Sequence, residues 1–355
     1  MSKKVLTEAD LFSDEKLENE QASSEEIIEF EWKSKLKTYF DNLYDLETIY
    51  KPDSNYFSRQ PEITLTMRAM LLDWLLEVSV LFHLKRETYY ITLSTLDRYL
   101  SHTNARKKEL QLIGLTCLYI ACKREEIITP PIIDFSKASA ESCTSQDIKQ
   151  MENQILHNLK WQMYPGTFYN WLNALLEEWD EYMKYVFADY IQSRQNTLDL
   201  QRVLVTFKQK DQFSYERFHE CMELLDICTL DYGVYKFYEV RVVAGILYMM
   251  VNRWFRLSKY EIFASNDEEQ DEFECSLVVE KLLNQFFVST IQIQSMEQLF
   301  PAIQFLESFR NFPFHTSLEG FREVGINKSY EEFLAYQTHN QDNLEFIVTL
   351  PNFQS

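Results

Sequence analysis

The chain has 355 residues, of which 46% are hydrophobic and 15% are aromatic, enough to fill a sizeable core and to form two or three domains. A formal net charge of −20 argues against nucleic acid as a partner, because such a surface repels the phosphate backbone. The six glycines form no phosphate-binding loop, so no nucleotide cofactor is expected.

The start of the chain predicts a flexible tail and one helix. Residues 1–26 are polar and acidic, which is typical of a solvated tail. Apolar residues recur at helical spacing over residues 27–50, and a linker that contains Pro52 and ends before Pro61 follows to residue 60. The tail contains no apolar signal-peptide core, and no apolar stretch of the chain has the length of a membrane span. We therefore expect a soluble intracellular chain, with no membrane partner.

The segment 61–163 predicts a series of apolar helices with short turns. A break at residues 164–166 ends this region, and further helices reach about residue 310, interrupted by an acidic loop at residues 265–272. The stretches IGLTCLYIACKR (113–124) and VVAGILYMMVNR (242–253) are both apolar all round, as central helices are. This likeness suggests a diverged repeat, with residues 311–355 as a C-terminal extension.

Cysteine and histidine usage gives no sign of a chemical site. The six cysteines form no Cys-x-x-Cys pair, and four of them lie in apolar helical runs, which predicts buried free thiols. The six histidines are scattered, and none pairs with a cysteine or aspartate at ligand spacing. We expect no metal, no cofactor, no catalytic residue and no enzymatic activity.

Several charges lie inside apolar stripes, where a buried charge needs a partner. The residues alone favour an internal ion pair between Arg68 and Asp97. Lys123, at the end of an apolar helix, is explained by the helix dipole. Glu152 lies in mid-helix in DIKQMENQILHNLKW, where neither dipole end helps it, so its structural and functional interpretations both stay open.

Four motifs in order give the chain a resemblance to a known family. MRAMLLDWLLEV, KRETYYITLSTLDRYL, LQLIGLTCLYIACKREEI and MENQILHNLKW resemble the cyclin box in sequence and spacing. Later stretches, FYNWLNALLEE, ELLDICTLD and YQTHNQDNLEF, are similar to E-type cyclins. The resemblance implies an all-α architecture of two tandem five-helix cyclin folds, at 61–163 and 164–310, with an N-terminal helix.

The resemblance also implies function. A cyclin is a regulatory subunit that binds and activates a cyclin-dependent serine/threonine kinase, here in G1/S control, without contributing catalytic groups. Lys123 and Glu152 match the family's two polar kinase contacts, and Arg68 and Asp97 match its internal ion pair. The family's groove for Arg-x-Leu peptides of substrates and inhibitors is matched by Met67, Met70, Leu71, Trp74, Glu77 and Gln111. The family implies a nuclear location, with the cytoplasm as a second one.

Helix spacing divides the segment TLTMRAMLLDWLLEVSVLF (64–82) into two faces. Ala69, Leu72, Leu75 and Leu76 are expected in the core, and the groove residues on the same helix are expected at the solvent.

Two departures from the family leave the identity of the kinase open. Its Tyr-Pro-Pro reads Ile128, Thr129, Pro130 here, and Arg124 replaces a usually apolar residue. A cyclin-fold adaptor without kinase activation is the alternative, although such factors are usually basic where they meet DNA. A helical enzyme is the third possibility, for which the sequence offers no nucleophile or metal cluster.

Overall fold

The computed structural model describes residues 36–193, 214–262, 268–309, 346–347 and 350, and every regular element in these ranges is a helix. The predicted tail at 1–26 and the start of the predicted N-terminal helix lie outside the described residues, as does most of the extension at 311–355. The predicted all-α class is confirmed.

Among the residues that the structure describes, an N-terminal helix, α1 (Lys37–Tyr50), precedes two sets of five helices. The first set comprises α2 (Leu65–Leu81), α3 (Arg86–His102), α4 (Leu110–Glu125), α5 (Ile132–Ala138) and α6 (Ser145–Asn158). The second set comprises α7 (Phe168–Ser193), α8 (Ser214–Leu230), α9 (Glu239–Ile262), α10 (Glu268–Thr290) and α11 (Phe300–Leu306). Short 3₁₀ turns lie at Tyr56–Arg59, Lys107–Glu109, Tyr232–Lys236, Met296–Gln298 and Glu307–Phe309.

Helices α4 and α9 are the central helices of their sets, which explains why both stretches are apolar all round. Helix α4 packs against α2, α3, α5 and α6, and α9 packs against α7, α8, α10 and α11. The predicted correspondence of the two stretches therefore agrees with their positions. The predicted break at residues 164–166 lies between α6 and α7.

One sequence prediction about the second set, the loop at residues 265–272, is wrong for its last five residues. Residues 268–272 of the expected acidic loop belong to helix α10, and 265–267 lie outside the described residues. Acidic residues are favourable in the first turn of a helix because they face the positive end of its dipole, so this charge run starts the helix instead of interrupting it.

The N-terminus of helix α2 is set by a local capping residue, and the helix is stabilised by burial of its apolar side chains. The Thr64 side chain caps it by accepting a hydrogen bond from the Met67 backbone N–H at 3.3 Å. Ala69, Leu72, Leu75 and Leu76 are fully buried, as the spacing predicts. Leu71 is also buried, because Gly114 on α4 leaves room for it: a Cβ atom at Gly114 would lie 2.8 Å from both Leu71 Cδ atoms.

Cys117, Cys122, Cys143, Cys221 and Cys228 are free and buried, as predicted for the thiols among the described residues. None of the described helices combines the length and apolarity needed to cross a membrane.

Candidate functional site

Lys123 and Glu152 come together at the surface of the first helical set. Lys123 lies in the last turn of α4, and Glu152 lies in the middle of α6, which packs on α4. The Lys123 Nζ atom pairs with Glu152 Oε1, and the two side chains are 41% and 13% exposed. The same ammonium lies 4.7 Å over the ring centre of Tyr119. Each charge therefore compensates the other while the ammonium stays accessible to a partner.

Large apolar side chains on the segments that follow α4 and α6 are exposed, and sequence reasoning did not assign them to an interaction surface. Ile127 and Ile128, directly after α4, are 94% and 86% exposed, and Trp161 and Tyr164, after α6, are 61% and 66% exposed. Exposed large apolar side chains that form a contiguous patch mark interaction surfaces in folded proteins. The sequence does contain a signal for their exposure: these large apolar residues follow the ends of α4 and α6, where the helical pattern of buried positions has already ended.

The backbone after α6 holds Trp161 in an uncommon conformation. Lys160 and Trp161 have φ values of 51° and 60°, in the left-handed region that non-glycine side chains rarely adopt. The Trp161 backbone N–H donates to the Leu156 carbonyl at 2.9 Å, which closes the end of the helix. The ring also contacts His157, with centroids 6.0 Å apart. The fold thus fixes an exposed indole beside α6.

Arg124 and Tyr164 extend this surface. The Arg124 guanidinium lies 4.7 Å over the Tyr164 ring centre, which links the last turn of α4 to the segment after α6. We use the name α4–α6 face for six residues on α4, on α6 or on the segments that follow these helices: Lys123, Glu152, Ile127, Ile128, Trp161 and Tyr164.

The residues assigned to a docking groove lie on α2 and α4, which pack together. Met70 is 53% exposed, Met67 and Trp74 are half-buried, and Glu77 and Gln111 are exposed. Gln111 Oε1 accepts a hydrogen bond from the Ser142 hydroxyl at 3.1 Å. These side chains therefore present sulfur, aromatic and carboxylate groups on one side of the first helical set.

The placement of Leu71 at the solvent is wrong. Its exposure is only 7%, since the side chain packs onto α4 at Gly114. Leu71 directly follows Met70 in the sequence, yet α4 covers the side chain of Leu71 and leaves that of Met70 exposed. Helical spacing within α2 carries no information about this coverage, which depends on the packing of α4. Leu71 therefore belongs to the contact between α2 and α4 instead of the solvent-facing residues of α2.

Arg68 and Asp97 are joined in the core. Arg68 donates from Nε to Asp97 Oδ1 at 2.7 Å and from Nη2 to Oδ2 at 2.6 Å, and both side chains are fully buried. Tyr56 donates from its hydroxyl to Asp97 Oδ1 at 2.9 Å. The remaining Arg68 nitrogen, Nη1, donates to the carbonyls of Thr229 and Leu230, each at 2.9 Å. The pair therefore also binds the end of α8 in the second set, which sequence reasoning missed.

A second buried ion pair also crosses between the sets. Arg86 Nη1 on α3 lies 3.0 Å from Asp226 Oδ2 on α8, with both side chains almost completely buried. The Tyr90 hydroxyl donates to Asp226 Oδ1 at 2.5 Å. Neither residue of the pair was predicted, because 140 residues separate them and each lies in an otherwise ordinary helical stretch.

The described residues offer little for nucleophilic or metal chemistry. Burial raises the pKa of Cys117 and Cys122 above the ordinary thiol range, so these sulfurs stay protonated. In the ranges the structure covers, no three His, Cys, Asp or Glu side chains stand together as metal ligands. The arrangements on the surface are suited to contacts with a protein partner.

Comparisons with a family model and with curated proteins both match this chain to cyclins. Residues 38–164 match the model of the cyclin N-terminal domain. G1/S-specific cyclin-E1 of Danio rerio is 34% identical over 218 residues, which cover 61% of this chain and 48% of that protein. G1/S-specific cyclin-E1 of Rattus norvegicus is 36% identical over 203 residues, covering 57% of this chain and 44% of that protein. The matches thus span about half the length of these curated relatives.

A solved structure matches the fold over a longer range. The X-ray structure of a viral cyclin from herpesvirus saimiri aligns with a TM-score of 0.51 at 17% sequence identity, covering 76% of this chain and 96% of that one. At this identity the likeness concerns the fold alone.

Proposed function

The chain belongs to the cyclin family, close to its E-type members, and from this premise we propose that it is a regulatory subunit that binds and activates a cyclin-dependent serine/threonine kinase at the G1/S transition. The observation that carries the proposal is the α4–α6 face. It combines the paired charges of Lys123 and Glu152 with exposed apolar side chains, the mixture of anchors that protein interfaces use.

The proposed mechanism is a shift of the kinase's conformational equilibrium. The chain contributes no catalytic group; it binds the active arrangement of the kinase more tightly than the inactive one. Lys123 and Glu152 would exchange part of their mutual interaction for hydrogen bonds to backbone groups of the kinase, while Trp161 and the two isoleucines bury apolar area. Polar contacts of fixed geometry then select one arrangement of the partner.

We propose a second role for the groove on α2 and α4. Met67, Met70 and Trp74 offer apolar area to the leucine of an Arg-x-Leu peptide, and the exposed carboxylate of Glu77 offers a partner for its arginine. Substrates and inhibitors bearing such a motif would be held near the kinase without touching the α4–α6 face. A nuclear location, reached together with the bound kinase, is part of this proposal.

Reconstitution tests the proposal directly. The purified full chain is mixed with individual cyclin-dependent kinases, and complex formation and phosphorylation of a short peptide substrate are measured. We expect at least one kinase to form a stable complex and to gain activity. A complex without activation would favour the cyclin-fold adaptor instead, and the kinase recovered when the chain is purified from its native cells identifies the physiological partner.

A further inference from the structure

Helix α1 meets the start of helix α9 through two carboxylates that the proposed function does not use. Glu47, on α1, is 2% exposed, and Glu239, the first residue of α9, is 7% exposed. The Glu47 Oε1 atom accepts a hydrogen bond from the Glu239 backbone N–H at 2.6 Å. The Oε2 atom of each carboxylate is buried without a hydrogen-bond partner. Two acidic side chains are therefore buried where the end of α1 meets the start of α9.

The cations near this joint are engaged elsewhere. Lys51 donates from Nζ to the Phe237 carbonyl at 2.7 Å and lies 4.5 Å over the Tyr238 ring centre. Arg241 lies 5.2 Å over the same ring. Lys51 attracts both carboxylates at longer range and Arg241 attracts that of Glu47, but neither cation forms an ion pair with them within the described residues. The other titratable side chains that act on the pair are Tyr44 on α1 and Tyr235 in the turn before α9.

Burial governs the protonation of both acids. Burial raises the pKa of Glu47, against the opposing effects of the Glu239 backbone N–H and the positive charge of Lys51. Burial also raises the pKa of Glu239, and the negative charge of Glu47 raises it further. Two carboxylates in one buried space resist simultaneous ionisation, and they titrate as a pair.

We propose that Glu47 and Glu239 share a proton and form a pH-sensitive latch that holds the end of α1 on α9 and loosens when both carboxylates are ionised. A carboxyl group that carries the proton gains an O–H donor, which gives the unpaired oxygens of the joint a partner. When that proton passes to water, two like charges are left buried together, and exposure of the joint to water relieves them.

The rest of α1 is held by other contacts, so the loosening is confined to its last turns. Phe40 stacks on Trp171 of α7 with ring centroids 5.8 Å apart, and Tyr44 contacts the same indole edge-on at 4.9 Å. The polar contacts at risk are those of Glu47 and of Lys51 with the segment Phe237 to Glu239. Opening of the latch therefore frees the junction between α1 and the following linker.

The stability of the fold should follow the same titration. The pKa of both acids is raised in the folded protein above the value of about 4.3 expected in the unfolded chain. Over the range between these values the folded state binds more protons, so stability falls as pH rises from about 4.3 through the folded pKa. Mildly acidic solution favours the closed latch.

Carboxyl carbon NMR of the full chain labelled at glutamate tests the proton sharing. The Glu47 and Glu239 resonances are assigned with the variants Glu47→Gln and Glu239→Gln. We expect both signals to show a titration step at least about two pH units above ordinary glutamate, because both residues report the loss of the shared proton, and we expect each signal to shift when the other residue is replaced. Ordinary titration of both signals would overturn the proposal.

Amide hydrogen exchange tests the movement. Protection factors for the last turn of α1 are compared at about pH 5.5 and pH 8.5, and we expect the parent chain to lose roughly tenfold protection at the higher pH. Glu47→Gln keeps a carbonyl oxygen for the Glu239 N–H and adds an amide donor, so it should retain protection at both values. Glu239→Gln gives an independent variant with the same expectation.

Asp45→Asn is the matched control, because Asp45 is exposed on the same helix and carries the same charge. It should lose protection at high pH as the parent chain does. If the parent chain kept full protection at both pH values, or if the glutamine variants lost it equally, the latch would not exist. These readouts need no kinase, so their failure would leave the proposed regulatory function untouched.

Discussion

Arg68 and Asp97 are joined by two hydrogen bonds in the core, and the same guanidinium reaches the last carbonyls of α8 in the other helical set. The positive charge thus lies at the negative end of a helix dipole as well as beside a carboxylate. One side chain of α2 therefore contributes both to the packing of the first set and to its attachment to the second.

Replacement of one partner of this pair should strongly destabilise the protein. Arg68→Met leaves the Asp97 carboxylate buried and uncompensated, and Asp97→Asn does the same for the guanidinium, so each should cost about 3 to 5 kcal/mol of unfolding free energy. Urea denaturation followed by circular dichroism measures the loss. Lys137→Met breaks an exposed ion pair with Asp134 and should cost at most about 1 kcal/mol. Equal stabilities for the buried and exposed variants would contradict this account.

The hydrogen bond between Tyr90 and Asp226 connects the two helical sets, and its loss should lower the stability of the protein. Tyr90→Phe removes a buried donor from a charged acceptor and should destabilise the protein by about 1 to 3 kcal/mol. Thermal unfolding checks this value. Tyr248→Phe removes an exposed, longer hydrogen bond of 3.3 Å to Glu280 and should change stability by no more than about 0.5 kcal/mol. A larger effect at Tyr248 than at Tyr90 would argue against the role of the cross-set network.

Kinase binding should depend on Lys123 and Glu152 separately. Each alanine variant should weaken the kinase complex by about 2 to 5 kcal/mol, roughly thirtyfold or more in affinity, while thermal stability changes little. Titration calorimetry with the activated kinase measures this. Lys149→Ala is the control, because Lys149 is exposed on α6, the helix that carries Glu152; this variant should bind the kinase normally.

A charge reversal separates the binding role from a purely structural one. The double variant Lys123→Glu with Glu152→Lys keeps an internal ion pair but presents its charges in the opposite order. If the pair serves only the fold, this variant should bind the kinase as the parent does. We expect it to fold normally and to lose binding, because the kinase meets the wrong charge at each position.

Groove and core substitutions on α2 should have different consequences. Met70→Ala and Trp74→Ala truncate exposed or half-buried anchors, so phosphorylation of an Arg-x-Leu substrate should fall roughly tenfold while activity on a short peptide is kept. Glu77→Ala should act in the same direction, more weakly. Leu71→Ala should instead cost about 2 to 5 kcal/mol of stability, because it opens a cavity over Gly114. A sharp loss of stability in the Met70 variant would contradict the groove assignment and show that this side chain contributes to the core.

Local pattern was sufficient for the helical class, for the two apolar central helices and for the core residues of α2. Helical spacing repeats every three or four residues, so a single stretch of sequence carries the information. The cyclin-box motifs supplied candidate sites at Lys123 and Glu152 in the same way. What the spacing could not supply was the burial of Leu71, because the glycine that makes room for it lies on another helix.

Only the tertiary structure decided which distant charges meet. Asp226 is 140 residues from Arg86, and Glu239 is 192 residues from Glu47, so no local period relates them. The protonation state of each acidic side chain depends on the groups that folding places around it. A carboxylate beside a guanidinium is stabilised as an ion, and one beside another buried carboxylate tends to keep a proton. The sequence determined the helices and their apolar faces. The packing of those faces determined the ion pairs and brought Glu47 and Glu239 together, because electrostatic partners are set by distance in space.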